Sequence, residues 1–203
     1  MKMEITVEMV KSLREVTGAG MMECKKALQE SNGDIEQAKK ILRAHGAQVA
    51  EKRAGREAKQ GVVESYIHAG GRIGAMVEIN CETDFVARTD EFKLLARDIA
   101  MQIAAMNPLV VNKEDVPKDL VEKELKDYRE QARAEGKNAE VAEKIAEGRL
   151  EKYYQEVVLT EQAFIKDPQR MIRDLVMEMT AKTGENVSVR RFQRFELGVD
   201  GTK

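Results

Sequence analysis

The chain has 203 residues, and 34 Lys and Arg against 36 Asp and Glu leave a formal net charge of −2. That near-neutral balance argues against a protein whose main task is coating nucleic acid; no run of about 18 apolar residues offers a membrane span, and Met1-Lys2-Met3-Glu4 lacks the apolar stretch of a signal peptide. With 42% apolar and 34% charged residues but only two cysteines and two histidines, the composition predicts a cytoplasmic, helix-rich protein with a real core and neither a disulfide framework nor a metal site or cofactor.

The first 46 residues read as three short helices. Thr6 can cap the first, whose Val10, Leu13 and Val16 recur every three residues, and Gly18 and Gly20 end it. The second carries Met21, Cys24, Ala27 and Leu28 on one face. Asp34 caps a third bearing Ile35, Ala38, Ile41 and Leu42. Helices this short must share a core, which predicts a compact three-helix bundle. Residues 47–60 are charged and small and read as a solvated connecting helix or linker. A boundary near Gly55 then divides the chain into a domain at 1–55 and a core at 56–203.

The period next changes to two. Val62 to His68 and Ile73 to Asn80 flank Ala69-Gly70-Gly71-Arg72 as a β-hairpin with a glycine turn. Thr89 caps a helix with the stripe Phe92, Leu95, Ala96, Ile99, Ile103 and Met106, stopped by Asn107-Pro108. Pro117 opens another with Val121, Leu125, Tyr128 and Ala132, ended at Gly136. A partner follows with Val141, Ile145, Leu150, Tyr153 and Val157, so that 117–157 forms a long antiparallel helical hairpin. Pro168 precedes a last helix with Ile172, Leu175, Val176 and Met179. The final strand, from Val187 to Leu197, is expected to bulge near Arg190 and Arg191, with Phe195 and Leu197 back on the face of Val187. The fold class is α+β: an N-terminal three-helix bundle joined to an antiparallel sheet packed with helices.

Nothing in the chain has the spacing of an active site. Cys81 has no histidine near it in sequence and reads as structural rather than nucleophilic. His68 sits in the hairpin as a surface or interface residue. The glycines at 70, 71 and 74 open no helix in phosphate-cradling spacing. Arg190, Arg191 and Arg194 are more simply strand-surface or interface residues than phosphate ligands. Two places stand out. In residues 80–88 (NCETDFVAR) a carboxylate and a large aromatic adjoin on a short connection; periodicity leaves open whether Phe85 packs under the following helix or points outward. In residues 18–22 (GAGMM) two adjacent methionines end a loop, either both packed or one exposed as adaptable contact surface. Residues alone thus reach a protein-binding, non-enzymatic factor.

Residues 10–28 (VKSLREVTGAGMMECKKAL) closely resemble the N-terminal signature of the elongation factor Ts family, and residues 80–88 resemble its second signature. Residues 145–150 (IAEGRL) and the terminal Arg190-Arg191-Phe192 with Phe195-Glu196 also match, so the resemblance spans about residues 3–198. It implies a guanine-nucleotide exchange factor for the GTPase elongation factor Tu, met GDP-bound and nucleotide-free, with no covalent chemistry of its own and no direct nucleic-acid contact. It implies a ubiquitin-associated-like head that grips the GTPase through Lys11, Gly18, Met21, Met22 and Lys25. It also implies that Thr83, Asp84, Phe85 and Val86 form a wedge that disturbs the Mg²⁺ site, with Phe85 exposed. His68 matches a residue that faces the GTPase in longer members with a doubled core. The single-unit core here leaves a sheet edge or face uncovered, which predicts a homodimer as in short members, with Arg190, Arg191, Phe192 and Phe195 at the contact. The alternative is an adaptor that binds through its N-terminal domain without promoting exchange. An RNA-binding translation protein using Arg190, Arg191 and Arg194, or an enzyme with Cys81 as nucleophile, fits less well, since 4% aromatic residues and no Trp give few stacking platforms.

Overall fold

Thr6 starts α1 (Val7–Thr17) as expected: its Oγ1 accepts the Met9 amide at 3.3 Å. The computed structural model describes residues 3–199, so Met1 and Lys2 of the N-terminus and the last four residues of the 56–203 segment lie outside it. Gly18, at φ +68°, caps the helix by donating its N–H to the Arg14 carbonyl at 2.7 Å, a left-handed backbone that side chains resist. α2 (Met21–Glu30) follows, and Asp34 Oδ1 caps α3 (Ile35–Arg53) through the Gln37 amide at 2.9 Å. Val10, Leu13, Cys24, Ala27, Leu28 and Ala38 form one buried cluster between the three helices. Val16 and Ile35, expected inside, are exposed, because three short helices enclose only a narrow interior. α3 also takes in the first half of the expected connecting segment, 47–60, and runs on to Arg53.

Strands β1 (Gln60–Ile67) and β2 (Ile73–Cys81) form the expected hairpin, closed by the His68 amide on the Ile73 carbonyl at 2.9 Å. In β2, Ala75, Val77, Ile79 and Cys81 are buried on one face, with Met76 exposed and Glu78 half-buried between them, while Gly74 and Asn80 towards the strand ends are buried as well. The connection after β2 contains a short helix, α4 (Asp84–Ala87), that residue pattern did not suggest. Thr89 Oγ1 then accepts the Phe92 amide at 3.3 Å, just ahead of α5 (Asp90–Met106). The α5 stripe is buried from Phe92 to Ile103, whereas Met106 is exposed where the helix runs out.

α6 (Lys118–Ala134) and α7 (Ala139–Val157) pack on each other. Their fully buried residues are Ala132, Ala142 and Ala146; Val141 is exposed. Small side chains let the two backbones approach; Ala132 is buried as expected, while on α7 the fully buried positions fall one residue past Val141 and Ile145. Arg129 forks onto Glu143 with two N–H···O bonds of 2.6 Å, and Arg149 donates to Gln131 at 2.7 Å.

Pro168 precedes the last helix, as expected, with the end of a strand between them. It lies in β4 (Asp167–Met171), which pairs antiparallel with β3 (Ala163–Phe164) as a small second sheet, and α8 (Ile172–Thr183) begins after it. Beneath this hairpin two glutamines are wholly buried. Gln102 Nε2 donates to Gln162 Oε1 and to the Ala163 carbonyl, both at 3.1 Å, while Gln102 Oε1 accepts the Ile165 amide at 2.9 Å.

β5 (Ser188–Glu196) completes the main antiparallel sheet, whose order β1-β2-β5 puts β2 in the middle. Val187 and Val189 are buried, Arg190 and Arg191 are both exposed, and Phe192 and Arg194 are half-buried. The alternation slips by one residue at the two arginines and does not slip back. Phe195 and Leu197 are consequently exposed, not returned to the face of Val187. Among the described residues there are eight α-helices and five strands, an α+β fold, and no helix long and apolar enough to cross a membrane. The chain divides into two compact units. One holds the residues up to Val63 with Glu78–Ala96 and Asp174–Val189, and the other holds Glu64–Val77, Arg97–Arg173 and the residues from Arg190 onward.

Candidate functional site

In the first unit, the turn after β2 is built from hydrogen bonds to residues about a hundred positions away. Glu185 Oε2 accepts the amides of Glu82 (3.1 Å) and Thr83 (3.0 Å), and its Oε1 accepts the Thr83 hydroxyl at 2.6 Å. Glu82 Oε1 in return accepts the Asn186 amide at 2.7 Å, and Arg56 reaches Glu82 Oε2 at 3.4 Å. Asn186 Nδ2 donates to the carbonyls of Arg56 (2.8 Å) and Ala54 (3.5 Å), where α3 ends. The Asn186 amide holds the Glu82 carboxyl below the usual carboxylate range, with Arg56 adding to the shift.

Thr83, its hydroxyl proton committed to Glu185, caps α4 by accepting the Val86 amide at 3.5 Å. Asp84 is paired with Arg88 one turn on at 2.7 Å, Ala87 is buried and Val86 half-buried. Phe85 is left standing 79% exposed at the head of the turn. It does not pack under α5, the other reading that periodicity had left open. Around it every neighbour is anchored, so the ring is presented by a stiff support rather than a loose loop.

Cys81, beneath the turn, is fully buried and donates to the Thr83 carbonyl at 3.1 Å. Burial first, then the Glu185 charge, push its thiol up to about 11. We expect Cys81 in the folded protein at pH 8 to alkylate with iodoacetamide about 100-fold more slowly than after unfolding, since a thiol of that pKa is almost wholly protonated there; peptide mass spectrometry against time measures it.

On α1 and α2 the structure exposes Lys11, Met21, Met22 and Lys25, with Gly18 half-buried between the helices. Met22 is 75% exposed, and both methionines face out rather than in, though Met21 had been expected to share the buried face of Cys24. Thr83 to Val86 and these residues belong to the same unit. The remaining sequence candidates lie in the other unit. His68 is exposed, its Nδ1 3.1 Å from the Tyr66 hydroxyl. Phe192 and Phe195 line an open groove of about 670 Å³ with Leu109, Val157, Arg190 and Arg191. Among the described residues no cluster of three His, Cys, Asp or Glu side chains could hold a metal ion.

The family model described as elongation factor Ts matches residues 4–199. The chain belongs to the elongation factor Ts family. It is 63% identical over 194 residues to the elongation factor Ts of Carboxydothermus hydrogenoformans, covering 96% of this chain and 89% of that protein. It is 58% identical to that of Caldanaerobacter subterraneus subsp. tengcongensis (96% and 97% covered) and 54% identical to that of Thermotoga maritima (97% and 98% covered). The two long segments that carry the resemblance, 10–28 and 80–88, lie in one unit, and the shorter matches at 145–150 and from Arg190 to Glu196 lie in the other. Glu185 and Asn186 were missed by sequence reasoning, because a Glu-Asn pair in a helix-to-strand loop carries no signal of a partner so distant in the chain.

Proposed function

We propose that this chain promotes release of GDP from the translational GTPase elongation factor Tu and so serves protein biosynthesis at elongation, in the cytoplasm. Phe85, an exposed ring on a fully anchored turn, carries this reading. GDP is held largely by Mg²⁺ and by backbone N–H groups around its phosphates, so a side chain that displaces those groups weakens it steeply. Thr83 fixes the turn, Phe85 inserts, Val86 backs it, and Asp84 competes for polar partners or repels the phosphate side. No covalent bond is made or broken. Acceleration requires tighter binding to the nucleotide-free GTPase than to its GDP form, and by linkage GDP weakens the factor to the same extent.

In this reading residues 1–55 act as a ubiquitin-associated-like head, gripping the GTPase through Lys11, Gly18, Met21, Met22 and Lys25. The rest, 56–203, is the core that carries α6 and α7 as an antiparallel helical hairpin, and His68 is a further contact. The test is release of a fluorescent GDP analogue from elongation factor Tu. Acceleration by catalytic amounts of the factor is expected. Binding without acceleration would leave the adaptor reading in its place.

The second unit also supports a homodimer. Phe195, Ile67 and Met76 are exposed apolar side chains of the three strands, Leu197 is exposed just past β5, and Phe195 lines the groove beside β5, a strand at the sheet edge. Arg190, Arg191, Phe192 and Phe195 are the proposed contact. Light scattering on a sizing column should give about 46 kDa, twice the 22.9 kDa chain, at micromolar concentration; a Phe195→Asp variant should elute as the monomer. Wild type eluting as a monomer would remove the dimer.

A further inference from the structure

The wedge turn is short, and within residues 83–86 its bond is the 3.5 Å contact of the Val86 amide with Thr83 Oγ1, which is long for a hydrogen bond. Its far end is closed locally, by the Arg88 amide on the Asp84 carbonyl at 3.1 Å and the Thr89 hydroxyl on the Val86 carbonyl at 2.8 Å. Its entry is held from the loop between α8 and β5. One carboxylate, Glu185, takes two consecutive amides and a hydroxyl, at 3.1, 3.0 and 2.6 Å. Bonds to an ionised acceptor are the strong class, and three converging on one group fix the plane of the Glu82–Thr83 peptide and the χ1 of Thr83 together. The next residue, Asn186, ties the same turn elsewhere: its amide goes to Glu82 and its side-chain amide to the carbonyls of Ala54 and Arg56. The chain leaving α3, the turn bearing Phe85, and the entry to β5 therefore meet on two adjacent side chains within one unit.

We infer that Glu185 and Asn186 are positioning residues for nucleotide exchange: they touch no nucleotide, but they set the direction in which Phe85 is presented and hold the end of the N-terminal helices against it. The inference rests on the wedge reading of Phe85. A rigid mount matters because insertion must be realised on the complex that still holds GDP. A turn free to fold Phe85 back must first be ordered, and a misplacement of about 1 Å can cost a reaction on the order of 100-fold. The geometry also explains a carboxylate at 185 rather than an amide, since all three groups facing it are donors.

The test is a double-mutant cycle in the full-length protein, read as release of a fluorescent GDP analogue from elongation factor Tu over a range of factor concentrations. Glu185→Ala should lower the maximal release rate about 10-fold or more while the half-saturating concentration moves less than about 3-fold. In a Phe85→Ala background the same substitution should do almost nothing further, because its effect passes through that ring. Glu185→Gln, which keeps an oxygen for the two amides, should recover most of the rate; Asn186→Ala, which cuts the side-chain tie to the Ala54 and Arg56 carbonyls, takes the place of Glu185→Ala in the cycle should that variant fail to fold. Amide hydrogen exchange should show protection of Glu82 and Thr83 lost in Glu185→Ala and kept in Glu185→Gln. Losses that simply multiply in the double variant overturn the inference, as does a wild-type release rate with the two amides unprotected. Phe85→Ala releasing GDP as fast as wild type instead overturns the wedge reading itself, which separates the two failures.

Discussion

Phe85→Ala is expected to reduce the acceleration of GDP release by roughly 30-fold while leaving the fold intact. Moving a Phe side chain from water into a partner pocket is worth about 2 kcal/mol, and each 1.36 kcal/mol is a factor of ten in rate if the contact is made only in the state that loses GDP. The ring is 79% exposed in the free protein, so its removal forfeits almost no packing, and melting should shift by no more than about 2 °C. That pairing is what makes the experiment decisive. A core phenylalanine such as the fully buried Phe92 would give the opposite pattern, a destabilisation of about 3–5 kcal/mol on truncation. Stopped-flow release and a melting curve on the same preparation distinguish them. Equal acceleration by wild type and variant would make Phe85 a bystander.

Gly61→Ala is expected to destabilise the protein by about 3 kcal/mol or more, the largest effect on the fold from a single added methyl group. Gly61 adopts φ +148°, a conformation that L side chains rarely take, and it lies flat against β2. A Cβ there would run into the Ile79 carbonyl and approach the Asn80 Cα to 2.8 Å. Both obstacles are backbone of the central strand, which cannot swing aside as a side-chain tip could, so the hairpin must part locally. For a chain of this size the loss corresponds to a fall in melting temperature of about 6–12 °C. Circular dichroism against temperature measures it, and a melt unchanged within about 2 °C would mean that β1 can shift its register at no cost.

The parts of this fold that were legible in the sequence are those whose cause is local. Thr6, Asp34 and Thr89 cap their helices because a hydroxyl or carboxylate next to free amides has little else to do, and β2 alternates because one of its faces is buried. Legibility ended where the cause lay elsewhere in the chain. β3 and β4 are too short to show a period, and their hairpin is held from α5 by the buried Gln102, through the Ala163 carbonyl of β3 and the Ile165 amide of the turn. On α7 the seam runs through Ala142 and Ala146, which carry almost no hydrophobic signal beside the Val and Ile next to them. For the candidate site, motif resemblance supplied residues 83–86, but that Phe85 points outward was not legible, and the tie of its turn to Glu185 spans 102 residues, beyond the reach of any local pattern.

The alanine seam has a consequence for how this family can vary in size. Ala132, Ala142 and Ala146 set the spacing of α6 and α7, and the Arg129–Glu143 fork fixes their register below the turn. Beyond that fork the arm is free in length while fixed in thickness. Adding about seven residues to each helix next to the Glu135–Asn138 turn extends it by two turns and repeats the seam. Such an arm behaves as a telescoping boom, adjustable in reach without any change to the unit that bears Phe85.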